Sequence, residues 1–530
     1  MQILPLNRVR TFAGILLLGL LAMTARSAAD PDLWWHLRTG QWIVQTGHIP
    51  HSDPFSFTRA GDPWISHEWL SEVVFYEIWR HGGVGGLILF SSVVTTAGFM
   101  LLYLRCPAKP SGAAVAVAIA ALAAAPAWGA RPQMFTFALA SLTLWLVERG
   151  EEHPPLLLLI PPVFLLWLNL HAGFALGPAL LLAIALGLLW EAASARTPWT
   201  QVRPHLTRIV LVIIACMALV PLNPSGSQLY RYPLDVLRSE GMRSFIAEWH
   251  PPDFHQLRYA PLLIIWLGLL VAMANSRSRP KARSIVPLVL TFAAAIDAVR
   301  HIPIFVLLAG PIMAVILPVA PPMKRLRQYP LAFRGAVLVL MALFAVVRWD
   351  SLFRSQSQTE RDLFPAQAVA FLQSHPMPSH LFAYYDWGGY AIWKLSPEYH
   401  VFIDGRADLY GDNILREFQQ ALQLQEGWRQ VLDSRGVEVV LVPPSSPLSQ
   451  ALSMDAGWGS EYRDSQAVIF LRNRAASLPI AVSEVVPSAE PERKNVYRRV
   501  PESATLRANS TGFPTWNPVE EPGCWRIRAE

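Results

Sequence analysis

Eleven apolar runs recur along residues 1–348 of this chain, and they constrain its fold more than any other feature. A helix needs about 20 apolar residues to cross the hydrocarbon core of a bilayer. Only 15% of the 530 residues are charged, compared with roughly 25% in soluble domains. The runs therefore predict a polytopic α-helical membrane protein with about eleven transmembrane helices, and a re-entrant pair among the shorter runs is the alternative. They lie at 11–29, 84–104, 113–128, 133–147, 155–169, 173–190, 209–222, 259–274, 285–300, 302–319 and 331–348.

Charge and cysteine content exclude several other classes of protein. The net charge is only +6, and no basic block is present, so we expect no nucleic-acid partner. Three cysteines are too few for a disulfide scaffold or an array of zinc fingers. The chain also lacks Cys-x-x-Cys and His-Glu-x-x-His metal motifs.

The Lys and Arg residues between the runs indicate how the helices are oriented. Alternate short loops carry most of these cations if the N-terminus is cytoplasmic, most clearly at 276–284 and 323–328. The loop 223–258 opposes this orientation, because it carries four arginines on the outer side. An odd number of spans places everything after Arg348 outside. We therefore expect a multi-pass protein of the bacterial inner (plasma) membrane, with its C-terminal part in the periplasm.

The first apolar run has an alternative interpretation as a cleaved signal peptide. Arg8 and Arg10 precede it, and it ends in the small residues Ser27-Ala28-Ala29, as at a signal-peptidase site. In either case the residues after Asp30 lie outside the membrane.

Three regions follow from these patterns. Residues 1–348 form the transmembrane domain with a long first outer loop at 30–83, and 349–473 form a periplasmic α/β domain. The Pro- and charge-rich tail at 474–530 is expected to be poorly ordered. In the second region, β-branched runs alternate with helical patterns, which predicts a partly parallel sheet. The strand runs are 400–404, 437–442 and 467–471, and the helical patterns are 413–425 and 428–434.

The polar residues of the membrane region gather at its outer ends. Ionisable residues in membrane proteins mark functional sites, and a proton-coupled transporter would carry its acids near the midplane. Here the first outer loop is dense in acids, histidines and tryptophans, while the spans are nearly free of charge. This placement favours an enzyme that takes a lipid-linked substrate from the outer leaflet.

Asp30-Pro-Asp32 opens that loop and has two compatible interpretations. It can cap a helix over 33–45, whose tryptophans would then lie flat among the lipid headgroups. Two acids just beyond a membrane exit can also act as a general base or hold a divalent cation.

Further candidates have both structural and functional interpretations. Glu68 and Glu72 are spaced i, i+4 on a helix, as on a solvated face, and His36 and His67 lie near them in the loop. His171 fits a short turn with helix capping. Arg131, Arg300 and His301 sit at outer helix ends, where they can reach toward the headgroups or clamp a phosphate or pyrophosphate.

Two motifs stand out in the C-terminal region. Tyr385-Asp-Trp-Gly-Gly-Tyr390 and Phe402-Ile-Asp-Gly-Arg-Ala-Asp-Leu-Tyr410 place aromatic rings beside Asp and Arg. Groups of aromatic and acidic side chains like these bind sugars, because the faces of the rings stack on the sugar and the carboxylates bind its hydroxyls. A tight turn with an internal Asp–Arg pair is the alternative.

Together these motifs resemble the GT-C membrane glycosyltransferases, the superfamily of protein O-mannosyltransferases and bacterial lipid A sugar transferases. The resemblance rests on a first helix that ends in Asp30-Pro-Asp-Leu-Trp-Trp-His36, and on Pro63-Trp-Ile-Ser-His-Glu-Trp-Leu70 before the second span. Trp387-Gly-Gly-Tyr390 and Asp404-Gly-Arg-Ala-Asp-Leu-Tyr410 extend it to a bacterial branch. The chain departs from the pattern at His67-Glu68, where O-mannosyltransferase-like members have Lys-Pro-Pro, and its Asp-Glu pair is split as Asp-Pro-Asp.

The resemblance implies transfer of a sugar from a polyprenyl-phosphate donor to a glycan, lipid or protein acceptor at the outer face. It implies catalytic roles for Asp32, Asp30 and Glu68, and a divalent cation that could assist them. No spacing of residues in the sequence demands a particular set of metal ligands. The implied substrate-binding residues are His36, His67, Glu72, Arg131, His171, Arg300 and His301.

Two other functions stay open. A transporter or flippase of lipid-linked glycans would line its spans with polar residues. A non-catalytic envelope assembly protein would be indifferent to Asp32→Asn.

Overall fold

The computed structural model describes residues 8–107, 110–275, 280–316 and 331–473. The predicted tail at 474–530 therefore lies outside the described residues, and the predicted domain boundaries stay predictions. The helix α14, defined below, runs without a break through the boundary expected at residue 348.

Each of the eleven apolar runs coincides with an apolar helix. Five helices are long and apolar enough to cross a membrane, judged by length and composition, so the number of spans stays a prediction. The helices of this part are α1 (Arg8–Thr24), α2 (Pro31–Thr46), α3 (Trp69–Arg105), α4 (Pro110–Ala124), α5 (Gln133–Gly150), α6 (Ile160–Leu170), α7 (Leu176–Ala193), α8 (Trp199–Leu219), α9 (Tyr232–Arg238), α10 (Glu240–Phe245), α11 (Ala260–Asn275), α12 (Ala282–Asp297), α13 (Ile302–Ile316) and α14 (Leu331–Leu363).

The long helix α3 bends at Gly83, where the backbone has a φ of 57°. An unbroken helix of 37 residues would measure about 55 Å, well beyond the hydrocarbon core of about 30 Å. The bend separates a polar first part from the apolar part that follows it. Glu72, the acid of the first turn, therefore lies in the polar part before the bend.

The C-terminal region contains a five-stranded sheet in the order β2-β1-β3-β5-β4. The strands β1, β2 and β3 are parallel, whereas β3, β5 and β4 pair in antiparallel fashion. The predicted partly parallel sheet is confirmed, although two of its strands were not foreseen, β1 and β4. The elements are α15 (Ala366–Ser374), β1 (His380–Ala383), α16 (Tyr385–Leu395), β2 (His400–Val401), α17 (Ala407–Leu422), α18 (Trp428–Ser434), β3 (Val439–Val442), α19 (Pro447–Ser453), β4 (Trp458–Arg463) and β5 (Val468–Arg472).

The helix α2 begins as predicted but does not present its tryptophans to the headgroups. Asp30 caps it, accepting a hydrogen bond from the backbone N–H of Asp32 at 2.9 Å. Trp34 and Trp35 are only 2% and 6% exposed. The interfacial prediction is wrong, because α16 covers the aromatic face of α2 and Trp34 packs edge-on against Tyr390.

The glycine pair of α16 makes this packing possible. A Cβ on Gly389 would lie 2.7 Å from the carbonyl oxygen of Pro31 and 3.4 Å from Cδ1 of Trp35. A Cβ on Gly388 would collide with the carbonyl oxygen of Ile403. The Trp-Gly-Gly-Tyr motif therefore lets α16 fit between α2 and the chain that follows β2.

We expect Gly389→Ala to destabilise the protein by about 1–3 kcal/mol, because the new methyl group meets backbone that cannot move aside cheaply. Thermal unfolding in detergent would measure the change. Gly82→Ala is the control, since a Cβ there meets no atom within 4 Å. That variant should be neutral or slightly more stable, and equal losses in both variants would contradict the packing role.

Candidate functional site

A group of three carboxylates surrounds Arg131, which lies just before α5. The Nε atom of Arg131 donates to Asp30, and its Nη1 donates to Glu248 at 2.9 Å. Its Nη2 lies 3.8 Å from Oδ2 of Asp32. One guanidinium therefore joins the segment before α5 to the start of α2 and to the loop that follows α10.

Among the three carboxylates around Arg131, Asp32 has the most altered pKa. Trp35 donates its indole N–H to Oδ1 of Asp32 at 3.3 Å, and Gly405 lies so close that an added Cβ would collide with that oxygen. Burial, and then the charge of Asp30, raise the pKa of Asp32 to about 8, although Arg131 opposes them. Asp32 is therefore a weak acid that can take up a proton near neutral pH.

Arg300 and His301 stand on the far side of Glu248. The Arg300 guanidinium lies 3.5 Å from Glu248 and 4.3 Å from the ring centre of Trp249. The Nδ1 of His301 donates to the carbonyl of Ala294 at 3.1 Å, so this nitrogen serves the backbone turn. Glu248 thus pairs with both predicted phosphate-binding arginines.

A second buried group brings His36 to the start of α3. Its Nδ1 lies 3.7 Å from Glu72 and 4.0 Å from Glu68. Neither this nitrogen nor Oε1 of Glu72 has a hydrogen-bond partner in the described part of the chain. Burial raises the pKa of Glu68 well above its usual range, with Glu72 adding to the effect, and burial lowers the pKa of His36. Burial therefore favours the uncharged forms of both Glu68 and His36.

His67 continues this group toward the C-terminal region. Its Nδ1 donates to the carbonyl of Ile65 at 3.2 Å, which leaves Nε2 facing Glu68 at 3.7 Å. The ring packs against Tyr232, with ring centres 4.6 Å apart. The acceptor nitrogen of His67 therefore faces the Glu68 carboxyl at a distance slightly longer than a hydrogen bond.

His171 fills the capping role that its sequence position indicated. Its Nδ1 accepts a hydrogen bond from the N–H of Gly173 at 3.0 Å and contacts the Thr136 hydroxyl at 2.7 Å. The proton of the neutral ring therefore sits on Nε2. The nearby positive charge of Arg300 adds to burial in lowering the pKa of His171.

Four residues near these groups were not among the predicted site residues. Asp408 accepts a hydrogen bond from the Tyr232 hydroxyl at 3.0 Å, and its charge contributes to the raised pKa of Glu68. Asp408 belongs to the Phe402–Tyr410 motif, but no local pattern in the sequence predicted that it would lie beside the first outer loop. The four residues are Tyr232, Glu248, Tyr385 and Asp408.

The rest of that motif is an internal ion network. Arg406 is 1% exposed and donates to both carboxylate oxygens of Asp404, at 2.8 and 2.7 Å. It also donates to Asp53 of the first outer loop at 2.8 Å, and Tyr410 donates to Asp404. Of the two interpretations of this motif, the internal Asp–Arg pair therefore describes Asp404 and Arg406. Asp408 instead contacts Tyr232, which packs against His67.

The acids do not provide a ready place for a divalent cation. Arg131 already supplies positive charge to Asp30, Asp32 and Glu248. Within the described ranges, no three His, Cys, Asp or Glu residues are arranged to hold a metal ion.

Comparisons with known proteins support the fold. No protein-family model and no curated protein matches the chain. The apo oligosaccharyltransferase of Archaeoglobus fulgidus superposes with a TM-score of 0.55 at 12% identity, covering 90% of this chain and 76% of that chain. The same organism's AglB, in complex with an inhibitory peptide and a dolichol-phosphate, gives 0.52 at 12% identity, with 89% and 75% covered.

ArnT from Cupriavidus metallidurans, bound to undecaprenyl phosphate, gives a TM-score of 0.46 at 14% identity, covering 88% of this chain and 98% of that chain. The two archaeal structures carry the conclusion about the fold. The chain has the fold of the GT-C membrane glycosyltransferases, as its motifs predicted.

Proposed function

We propose that this protein is a membrane glycosyltransferase that moves a sugar from a polyprenyl-phosphate donor to a periplasmic or lipid-linked acceptor. The observation that carries the proposal is Asp32, a carboxylate of raised pKa fixed at the outer end of the spans beside Arg131. The GT-C fold supports a reaction of this class. We place it in a bacterial inner membrane with the site on the periplasmic side.

In the proposed mechanism, Asp32 accepts the proton of the acceptor hydroxyl. Its Oδ1 is held by Trp35, and its Oδ2 lies beyond hydrogen-bonding distance of Arg131. The acceptor oxygen attacks the anomeric carbon as the bond from that carbon to the phosphate oxygen breaks. The products are the glycosylated acceptor and polyprenyl phosphate, and the proton rests on Asp32. Asp30 positions Asp32 by capping α2 and holding Arg131.

The other predicted residues take binding roles in this proposal. Arg131 and Arg300 offset the charge of the leaving phosphate, which requires Glu248 to release part of its contact with the two guanidinium groups. His301 adjoins Arg300 and supports the backbone turn at this binding position. An uncharged Glu68 can donate a hydrogen bond to a sugar hydroxyl. His36, His67, Glu72 and His171 line the buried side of the same site.

The rate of transfer should rise with pH through about 8, because Asp32 must be ionised to accept a proton. Arg131 lowers the pKa of Asp32, so Arg131→Gln should move this rise to higher pH. Asp30 raises that pKa, so Asp30→Asn should move the rise to lower pH, and Asn still caps the helix. Profiles of kcat/KM from pH 6 to 9.5 would test both shifts. Identical profiles in all three proteins would remove Asp32 from the proton transfer.

The stoichiometry of the products separates this proposal from a transporter or flippase of lipid-linked glycans. A transferase releases one polyprenyl phosphate for every sugar that reaches an acceptor, whereas a flippase leaves the donor intact. Quantifying both products in reconstituted vesicles would decide the matter. Sugar crossing the bilayer without release of polyprenyl phosphate would contradict the proposal.

A further inference from the structure

Arg26 and Arg348 carry positive charge near the outer ends of two spans. Arg26 follows α1 by two residues, and Arg348 lies where the apolar sequence of α14 ends. The two helices pack together there, and the Trp349 indole donates a hydrogen bond to the carbonyl of Leu21 at 3.3 Å. The side chain of Gln356 also bonds both backbone groups of Ala28.

No acid among the described residues pairs with either arginine. The Nε of Arg26 is buried and has no hydrogen-bond partner in the part of the chain that the structure describes. Its guanidinium lies 5.7 Å from the ring centre of Trp128. Burial and the neighbouring charge of Arg348 both lower the pKa of Arg26. Two like charges at a partly buried position are costly unless an anion joins them.

These two arginines differ from those at the candidate site. Arg131 and Arg300 already bind carboxylates. Arg26 and Arg348 have no carboxylate partner in the described ranges, and so can bind an anion without first losing one.

Their surroundings indicate where the anion comes from. The outward side of α14 just before Arg348 is apolar, and Val347 is 58% exposed. Trp128 and Trp349 are the residue type that collects at the headgroup level of membranes. The anion of that level is the phosphate of a lipid, and the guanidinium geometry suits phosphate oxygens.

We propose that Arg26 and Arg348, beside Trp128, bind the phosphate group of a membrane lipid. Arg26 is four residues before Asp30, and Trp128 is three residues before Arg131, so the bound phosphate would lie at the edge of the candidate site. A phospholipid and a polyprenyl phosphate share this chemistry. The inference concerns binding, and it would stand if the transfer reaction proposed above were disproved.

Native mass spectrometry of the full chain in detergent would test this site. The lipids to add are phosphatidylglycerol, undecaprenyl phosphate and the phosphate-free diacylglycerol. We expect the wild-type protein to retain a phosphate-bearing lipid, and Arg26→Gln and Arg348→Gln each to weaken its binding about tenfold or more, as for the loss of a charge-assisted hydrogen bond. Whichever of the two phosphate-bearing lipids is retained more strongly identifies the source.

Arg354→Gln is the matched control, because Arg354 also lies on α14 but is paired with Asp350 at 2.8 Å and exposed. It should leave lipid binding unchanged. Arg26→Lys keeps the charge and should restore part of the binding, which separates loss of charge from loss of folding. Equal binding by the wild-type protein and both Gln variants would overturn the proposal, as would wild-type retention of diacylglycerol equal to that of the phosphate-bearing lipids.

Discussion

Replacing Asp32 by Asn should lower the rate of sugar transfer by about 10²–10⁴-fold, the contribution of a positioned general base. The amide keeps the size of the side chain and can still accept the hydrogen bond from Trp35, but it cannot take the proton of the acceptor. Arg131 stays held by Asp30 and Glu248 in this variant, so the fold should persist. Initial rates of transfer in lipid vesicles, with donor in excess, would measure the loss.

Asp62→Asn is the control for this change. Asp62 lies in the same outer loop, but its side chain is 50% exposed and its partner is Arg59 rather than a residue of the site. Its transfer rate should match that of the wild-type protein. A fully active Asp32→Asn variant would show that another group accepts the proton, or that the outer loop serves assembly and not chemistry.

Replacing Arg406 by Met should destabilise the protein by about 3–5 kcal/mol, the cost of leaving buried charges without their partner. Arg406 is the cation between Asp53 and Asp404, and all three side chains are buried. Removing it leaves two carboxylates beside each other without a positive charge. Thermal or denaturant unfolding, followed by intrinsic fluorescence in detergent, would measure the change.

Arg429→Met is the corresponding surface change, because Arg429 pairs with Asp455 but is 64% exposed. It should cost less than about 1 kcal/mol. Adding Asp53→Asn and Asp404→Asn to Arg406→Met should recover part of the lost stability, since the repelling charges are then gone. No recovery in that triple variant would mean that packing by Arg406, and not its charge, holds the outer loop.

The apolar helices and several helix boundaries could be predicted from sequence because their causes are local. Apolar runs mark these helices, and the 428–434 pattern coincides with α18. The strand β4 escaped prediction because it is a largely exposed edge strand, so its sequence lacks an apolar run. The short strand β1 holds only four residues, too few for a clear pattern.

The site was harder to predict because its parts are distant in sequence. Asp30 could be recognised as a helix cap, since capping involves neighbours only. The approach of Asp32 to Gly405, and of Asp53 to Arg406, joins residues more than 350 positions apart. No hydrophobic periodicity around these residues predicts such a long-range contact. The tryptophans of α2 were misplaced for the same reason, because the helix that covers them is remote in the chain.

Incubation of purified protein in lipid with radiolabelled polyprenyl-phosphate sugars and a membrane extract would test the proposed function most directly. The wild-type protein should move label to an acceptor and release polyprenyl phosphate, whereas Asp32→Asn should move almost none. Absence of transfer from every donor, in wild-type protein shown to be folded, would contradict the proposed glycosyltransferase and favour transport or assembly.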